Sequence, residues 1–313
     1  MRTGASTAAG ADESNPASHL HGPVLAWFDR HGRTELPWRD PDCSAWGVFL
    51  SEVMSQQTPL HRVEPVWREW MRRWPTPADL AADSPGEAVR AWRRLGYPRR
   101  ALRLHEAATA MVRDHGGEVP MDHDELLALP GVGAYTAAAV SSFTHQIPVP
   151  VVDTNVRRVL ARAVTGAEHA APALTVAESR LAAASMPTGT TDEDITRANR
   201  WNVAVMELGA LVCTARAPKC DRCPVLDRCA WVAAGRPAYD GPPRRGQAWA
   251  GTDRQVRGRI VQALRGSPDP VTRAALASTW PDDATKVDRC LAALVEDGLV
   301  EPTDDGAAYR LPR

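Results

Sequence analysis

"CTARAPKCDRCPVLDRC", residues 213–229, packs four of the chain's six cysteines into seventeen residues, with gaps of six, two and five. A secreted fold spreads its cysteine pairs over distant loops, so this crowding argues against disulfides and for a reducing compartment. The other two, Cys43 and Cys290, are far apart. A structural zinc site usually offers two separated Cys-x-x-Cys pairs or adds histidine, whereas here one such pair, Cys220 and Cys223, is flanked by single cysteines. Four compact thiolates suit a [4Fe–4S] cube, which takes one thiolate per iron. The spacing ranks iron–sulfur first, zinc second and a plain structural or redox cluster third.

The rest of the chain limits what such a loop serves. At 313 residues there is room for two or three domains. The formal net charge is −1, so a polyanion must be met by a local patch. Residues 1–19 are rich in Ala, Ser, Thr and Gly, without the apolar run of a signal peptide, and read as a disordered tail. Leu126 to Val152 carries no Asp, Glu, Lys or Arg, but Pro130, Gly131, Gly133, Pro148 and Pro150 interrupt it. What remains is too short for a bilayer and reads as a buried helix between two loops. A cytoplasmic, nucleoid-associated protein with no membrane contact is expected.

Helical spacing dominates. Trp46, Phe49, Leu50, Val53 and Met54 share a face, and Trp67, Trp70 and Trp74 read as core, not as a stacking platform. Thr191 with Asp194 announces a helix over about 192–212. No alternating strand of useful length precedes residue 298, so the catalytic part is expected to be all-α. "GRPAYDGPPRRG" at 235–246 cannot propagate a helix and marks a linker over 233–251. Beyond it, three helical stretches and a hairpin formed by "LVEPT", "DDG" and "AAYRL" predict a small α+β winged-helix-like module over 252–313.

The cysteine spacing resembles the cluster loop of the endonuclease III and MutY superfamily of DNA glycosylases. "LPGVGAYTAAAV" at 129–140 resembles that family's helix-hairpin-helix, and "IPVPVVDTNVRRV" at 147–159 its Gly/Pro-rich loop and aspartate. "LPWR" at 36–39, "SEVMSQQT" at 51–58, "LGYPRRALRLH" at 95–105 and "MELGALVC" at 206–213 resemble the MutY-type adenine DNA glycosylases. The resemblance spans about 20–232. It implies a mainly helical, two-lobed fold: a six-helix lobe of about 41–149, and a cluster lobe of 20–40 with 150–232. It also implies a [4Fe–4S] cluster on Cys213, Cys220, Cys223 and Cys229, and double-stranded DNA with a mispaired adenine as partner. The protein is expected to be monomeric.

Cleaving adenine from deoxyribose needs a protonated leaving group and a stabilised sugar cation, work that paired carboxyls commonly do. Glu52, at the edge of an apolar stripe, and Asp153 are the candidates. By pattern alone Glu52 is an ordinary surface glutamate and Asp153 a helix N-cap. By resemblance, Glu52 protonates adenine at N7 and handles the water, and Asp153 stabilises the oxocarbenium ion and bonds to it transiently. Asn155 and Tyr135 match positions that orient these groups. Tyr135 stands where glycosylase-lyases carry a Schiff-base lysine, and the chain's lysines are Lys219 and Lys286. Gly131 and Gly133 are read as a tight turn that lets the backbone approach a phosphate. Gln56, Gln57 and Tyr97 match residues that probe or wedge the duplex near the opposite base. Pro98 replaces a second tyrosine usual in the family. Arg90, Arg93, Arg94, Arg99, Arg100 and Arg103 have no acid among them from Ala88 to His105, and read as the local DNA patch.

Family members typically carry a Nudix-like domain that recognises 8-oxoguanine, and about sixty residues after the linker are too few for one. The winged-helix-like stretch holds eight acids against Lys286 and Arg289 over 282–305, which predicts repulsion by phosphate and a bystander role. The leading reading is a monofunctional adenine glycosylase of base excision repair, acting opposite 8-oxoguanine or guanine. The alternatives are an endonuclease III-like enzyme for oxidised pyrimidines, against which Tyr135 and "SEVMSQQT" argue, and an iron–sulfur winged-helix regulator.

Overall fold

The computed structural model describes residues 14–241 and 250–313. Residues 1–13 of the expected tail and 242–249 of the expected linker lie outside them. Two compact units emerge, one running to Leu36 and resuming at Ala137, the other holding Pro37–Thr136 and the chain from residue 250 onward.

The first unit is helical and built around Asp192–Leu211, whose Thr191–Asp194 capping box is formed as its sequence announces. Ser18–His31 and Thr154–Leu160 pack on it. Leu20, Val24, Trp27, Val156, Trp201, Val205 and Leu208 share one buried core. The expectation of a tail to residue 19 fails at its end. Asn15 and Ala17 are buried, and the Asn15 amide donates to Met186 O at 2.6 Å. That contact joins residues 171 apart in sequence and is invisible to composition.

The second unit is built on tryptophan. Trp70 lies edge-on to Trp74 and Trp92, with ring centroids 4.8 and 5.6 Å apart. The indole N–H of Trp46 donates to Trp74 O at 3.0 Å and that of Trp67 to Gly47 O at 2.7 Å. Aromatic area is thereby buried without stranding those two N–H groups. The helix Ala45–Ser55 buries Trp46, Phe49, Leu50, Val53 and Met54 and leaves Glu52 partly exposed.

The same unit holds the C-terminal module. Helices Asp253–Arg265, Arg273–Ala277 and Ala284–Glu296 accompany a three-stranded antiparallel sheet. Its strands are β1 (Val271–Thr272), β2 (Glu301–Pro302) and β3 (Ala308–Arg310), in the order β1-β3-β2. The hairpin expected from "DDG" is β2–β3, and β1 is a two-residue strand inside the module, shorter than the strands of useful length that the sequence lacks before 298. Two residues are too few to show alternation, and β1 exists through its pairing of Val271 with Tyr309. The module is docked on Pro85–Ala91 by reciprocal arginines. Arg90 Nη1 donates to Arg265 O at 2.5 Å and Ser267 O at 3.1 Å, and Arg265 Nε to Val89 O at 2.8 Å. A cation on the last carbonyls of a helix is doubly favoured, by hydrogen bonds and by the helix dipole. Gly86 N–H donates to Pro312 O at 2.8 Å, and a side chain at Gly86 would collide with that carbonyl.

Candidate active site

Glu52 and Tyr135 meet although 83 positions separate them. The Tyr135 hydroxyl donates to Glu52 Oε2 at 2.8 Å. Tyr135 is the second residue of the helix Ala134–His145, which follows the hairpin turn after His123–Ala128. Thr136 accepts from Gln56 Nε2 at 3.1 Å, so the end of the Glu52 helix is tied to the hairpin twice. The sequence did not single out Thr136, whose 2 % exposure comes from packing.

The turn divides its two glycines. Gly131 has φ +78°, and a Cβ there would meet Arg103 Cβ at 2.6 Å. Gly133 needs no left-handed backbone and has nothing within 4 Å of its missing side chain. The fold requires only Gly131. The reading of both as turn residues is corrected, and Gly133 keeps only the room it leaves outside. Gln57 and Tyr97, by contrast, are non-glycine residues at φ +54° and +46°. Such strain persists only where surroundings impose it, and it clusters at functional sites. Tyr97 is 41 % exposed.

The arginine patch loses most of its apparent freedom. Arg90 pairs with Glu87, Arg93 with Glu69, Arg99 with Asp297 and Arg103 with Glu106. Arg100 spends its guanidinium on the carbonyls of Val53, Gln56 and Gly96 and on Thr58 Oγ1. It holds the turn after the Glu52 helix, and burial pulls its pKa down to about 10, still charged at neutral pH. The expected run of six uncompensated charges is therefore corrected. A gap in sequence is not a gap in space, since Glu69 and Asp297 arrive from other elements.

In the other unit, Asp153 caps the helix Thr154–Leu160 by accepting from Val156 N–H at 2.7 Å. Asn155 Nδ2 donates to Asp153 Oδ2 at 2.6 Å. Burial raises the Asp153 carboxyl above the usual range, opposed by those two donors and by Arg158. Arg158 donates to Asn155 Oδ1 at 2.7 Å, to Gly209 O at 2.7 Å and to Cys213 O at 2.6 Å. One guanidinium thus joins the Asp153 cap to the cysteine loop. Gly209 is glycine because a side chain would strike Asn155, whose Cβ lies 2.6 Å from where one would start. The extended segment before Asp153 is held by Asn202, which donates to Val149 O at 2.8 Å and accepts from Val151 N–H at 3.2 Å. Asn202 and Arg158 were not found by reading the sequence. Two asparagines on the otherwise apolar "NRWNVAV" face, at 199 and 202, were the available signal.

Cys213, Cys220, Cys223 and Cys229 line one pocket whose other walls are mostly apolar, with Val159, Leu208, Val225 and Trp231 among them. Burial pushes the Cys223 thiol up to about 11 and raises that of Cys213. Thiolates there need cationic compensation, which bound iron supplies. Among the described residues no three Cys, His, Asp or Glu side chains converge tightly enough for a single metal ion. Arg162, 1 % exposed, lies 3.5 Å from Cys213 Sγ and donates to Thr214 O at 2.7 Å. The four cysteines fit an iron–sulfur cluster as a resident group that cross-links this loop.

Comparison with known proteins agrees. Residues 50–180 match the HhH-GPD superfamily of base excision DNA repair proteins. Residues 213–229 match the iron-sulfur binding domain of endonuclease III. An adenine DNA glycosylase of Mycobacterium tuberculosis is 52% identical over 289 residues, 92% of each chain. One from Mycolicibacterium smegmatis is 53% identical over 283 residues, covering 90% of this chain and 93% of that one. A solved thermostable thymine-DNA glycosylase superposes with TM-score 0.61 at 25% identity, over 70% of this chain and 97% of its own. A match over 92% of the chain includes most of the C-terminal module. On the strength of that identity and coverage, the chain belongs to the adenine DNA glycosylase family.

Proposed function

We propose that this protein is a monofunctional DNA glycosylase that hydrolyses the bond between adenine and deoxyribose in double-stranded DNA, where the adenine is mispaired with guanine or 8-oxoguanine. It acts as a monomer in the cytoplasm, at the nucleoid. Among the described residues no helix is long and apolar enough to cross a membrane. The adenine leaves the stack before any side chain reaches it. Glu52, as the acid, gives its proton to the base. The glycosidic electron pair departs with adenine, and the carboxylate left on Glu52 then takes a proton from the attacking water. Asp153, ionised, stabilises the sugar cation. The cluster, when bound to the four cysteines, fixes the loop that Arg158 ties to the Asp153 cap.

The observation that carries this reading is the Tyr135 hydroxyl on Glu52 at 2.8 Å. A phenol there holds a carboxyl in place, whereas a lyase needs an amine able to attack the sugar. The test is a strand-cleavage assay on a duplex with one adenine opposite guanine or 8-oxoguanine. Breaks are expected only after alkali. Breaks without alkali, or release of an oxidised pyrimidine in place of adenine, would overturn it.

A further inference from the structure

A groove of about 1090 Å³ runs within the second unit, between the Gly96–Tyr97 turn and the module's first helix, Asp253–Arg265. Eight arginines and two aspartates line it. Small-ligand pockets are mostly apolar with few charges, so this is no such pocket. Arginine stays in excess there, although Arg99 and Arg257 share Asp297, Arg93 is paired with Glu69 and Arg265 is spent on the carbonyls of Val89 and Arg93. Asp253 is held by Arg289 at 2.9 Å, and Asp297 by Arg257 and by Arg99 at 3.1 Å. Of the eight acids that argued for a bystander module, Asp297 is shared by Arg257 and Arg99, Asp288 pairs with Arg273 and Glu301 with Arg310. What reaches solvent on the first helix is different. Arg254, Gly258 and Gln262 are exposed at four-residue spacing and form one stripe along the groove. The Arg254 guanidinium lies 4.7 Å from the centre of the Tyr97 ring.

Gly258 is the second, independent observation. It sits in the middle of a thirteen-residue helix with nothing within 4 Å of its missing side chain. Glycine there weakens the helix and serves no packing. Its effect is to keep the floor of a basic groove open to something outside the protein.

We propose that this groove holds the DNA strand opposite the target adenine, with Arg94 and Arg254 facing its phosphates across Tyr97. The inference rests on the adenine glycosylase reading, which places Gln57 and Tyr97 beside the opposite base, and both line this groove. It gives the C-terminal module a substrate-binding role. One wall comes from the helical catalytic part and the other from the module, so affinity requires both.

The test is equilibrium binding of the full chain to labelled duplexes whose target adenine carries a 2′-fluoro sugar that blocks cleavage, across a salt series. Arg254→Ala is expected to weaken binding about five- to tenfold and to lower the slope of log K against log salt by about one. Gly258→Ala is expected to raise Tm, because it repairs the helix, yet weaken binding, and Gly258→Leu to weaken it more. A stabilised variant that binds less well cannot be explained by misfolding. A photo-crosslinking base in the opposite strand, next to the mispair, is expected to label the peptide 250–265. Unchanged affinity and salt slope in Arg254→Ala and Gly258→Leu, or labelling of that peptide only from the adenine strand, would overturn the proposal. If the wild type does not prefer a mispaired adenine over a fully paired duplex, the glycosylase reading itself fails. If it does and the variants behave alike, only the groove assignment falls.

Discussion

The two carboxyls proposed for the chemistry live in opposite surroundings. Glu52 lies on the partly exposed edge of a helix and takes a hydrogen bond from the Tyr135 phenol brought by the hairpin. Asp153 is built into its backbone. It caps a helix, accepts from Asn155, and through Asn155 and Arg158 is connected to the cysteine loop. The first arrangement suits a group that must gain and lose a proton. The second suits a charge that must stay put while a cation forms beside it. The difference teaches that a residue's role is written in what it is tied to, more than in its side-chain type.

The largest effect expected on this comparison is from Glu52→Gln. It keeps the shape and the Tyr135 contact but removes the proton, so single-turnover adenine release should fall about 10³- to 10⁴-fold with DNA binding near normal. A loss under about tenfold would move the acid elsewhere. Asp153→Asn should cost about 10²- to 10³-fold, because the cap survives while the charge does not. If its Tm falls together with its rate, Asp153 is mainly a cap and the contrast collapses.

Arg158→Met should lower the rate by roughly tenfold and reduce the iron bound per chain, since one partly buried charged donor serves both groups. Iron content unchanged beside a lowered rate would confine Arg158 to the Asp153 side. Asn155→Ala sharpens the comparison through pH. Burial already raises the Asp153 carboxyl, and removing an opposing donor raises it further. The carboxylate then keeps its proton to higher pH, so the acid limb of the rate profile should move upward. The stability that the protonated form contributes is present below the ordinary aspartate range and is lost as pH rises through the raised value. A profile that moves downward or not at all would show that another group titrates there. The smallest effect is from Tyr135→Phe, about fivefold, from one hydrogen bond of about 1 kcal/mol. A loss beyond a hundredfold would make the phenol a participant rather than a holder.

Much was legible in advance, and for a physical reason. Cysteine spacing, the capping box at Thr191 and the glycine of a left-handed turn are local requirements that a chain satisfies with particular residues at particular offsets. Gly131, Asp153 as a cap and the helix after Thr191 all follow from such rules. Family motifs added Glu52, Tyr135 and Asn155 as candidates. The arginines show the limit. Six in a row without an acid looked like a waiting patch, yet Glu69 and Asp297 reach two of them, and Arg100 is spent on backbone carbonyls.

The sequence by itself determined the helical class, the cluster loop and the types of group available for the chemistry, because period, spacing and side-chain chemistry are carried in short stretches. Only the tertiary structure decided which charges are already paired, that Arg158 connects the Asp153 cap to Cys213, that Val271 completes a sheet with Tyr309, and that an arginine helix beyond the linker shares a groove with Tyr97. Each of these joins residues dozens to nearly two hundred positions apart. Such contacts depend on how helices pack, and packing is settled by the whole core at once, not by any stretch of chain.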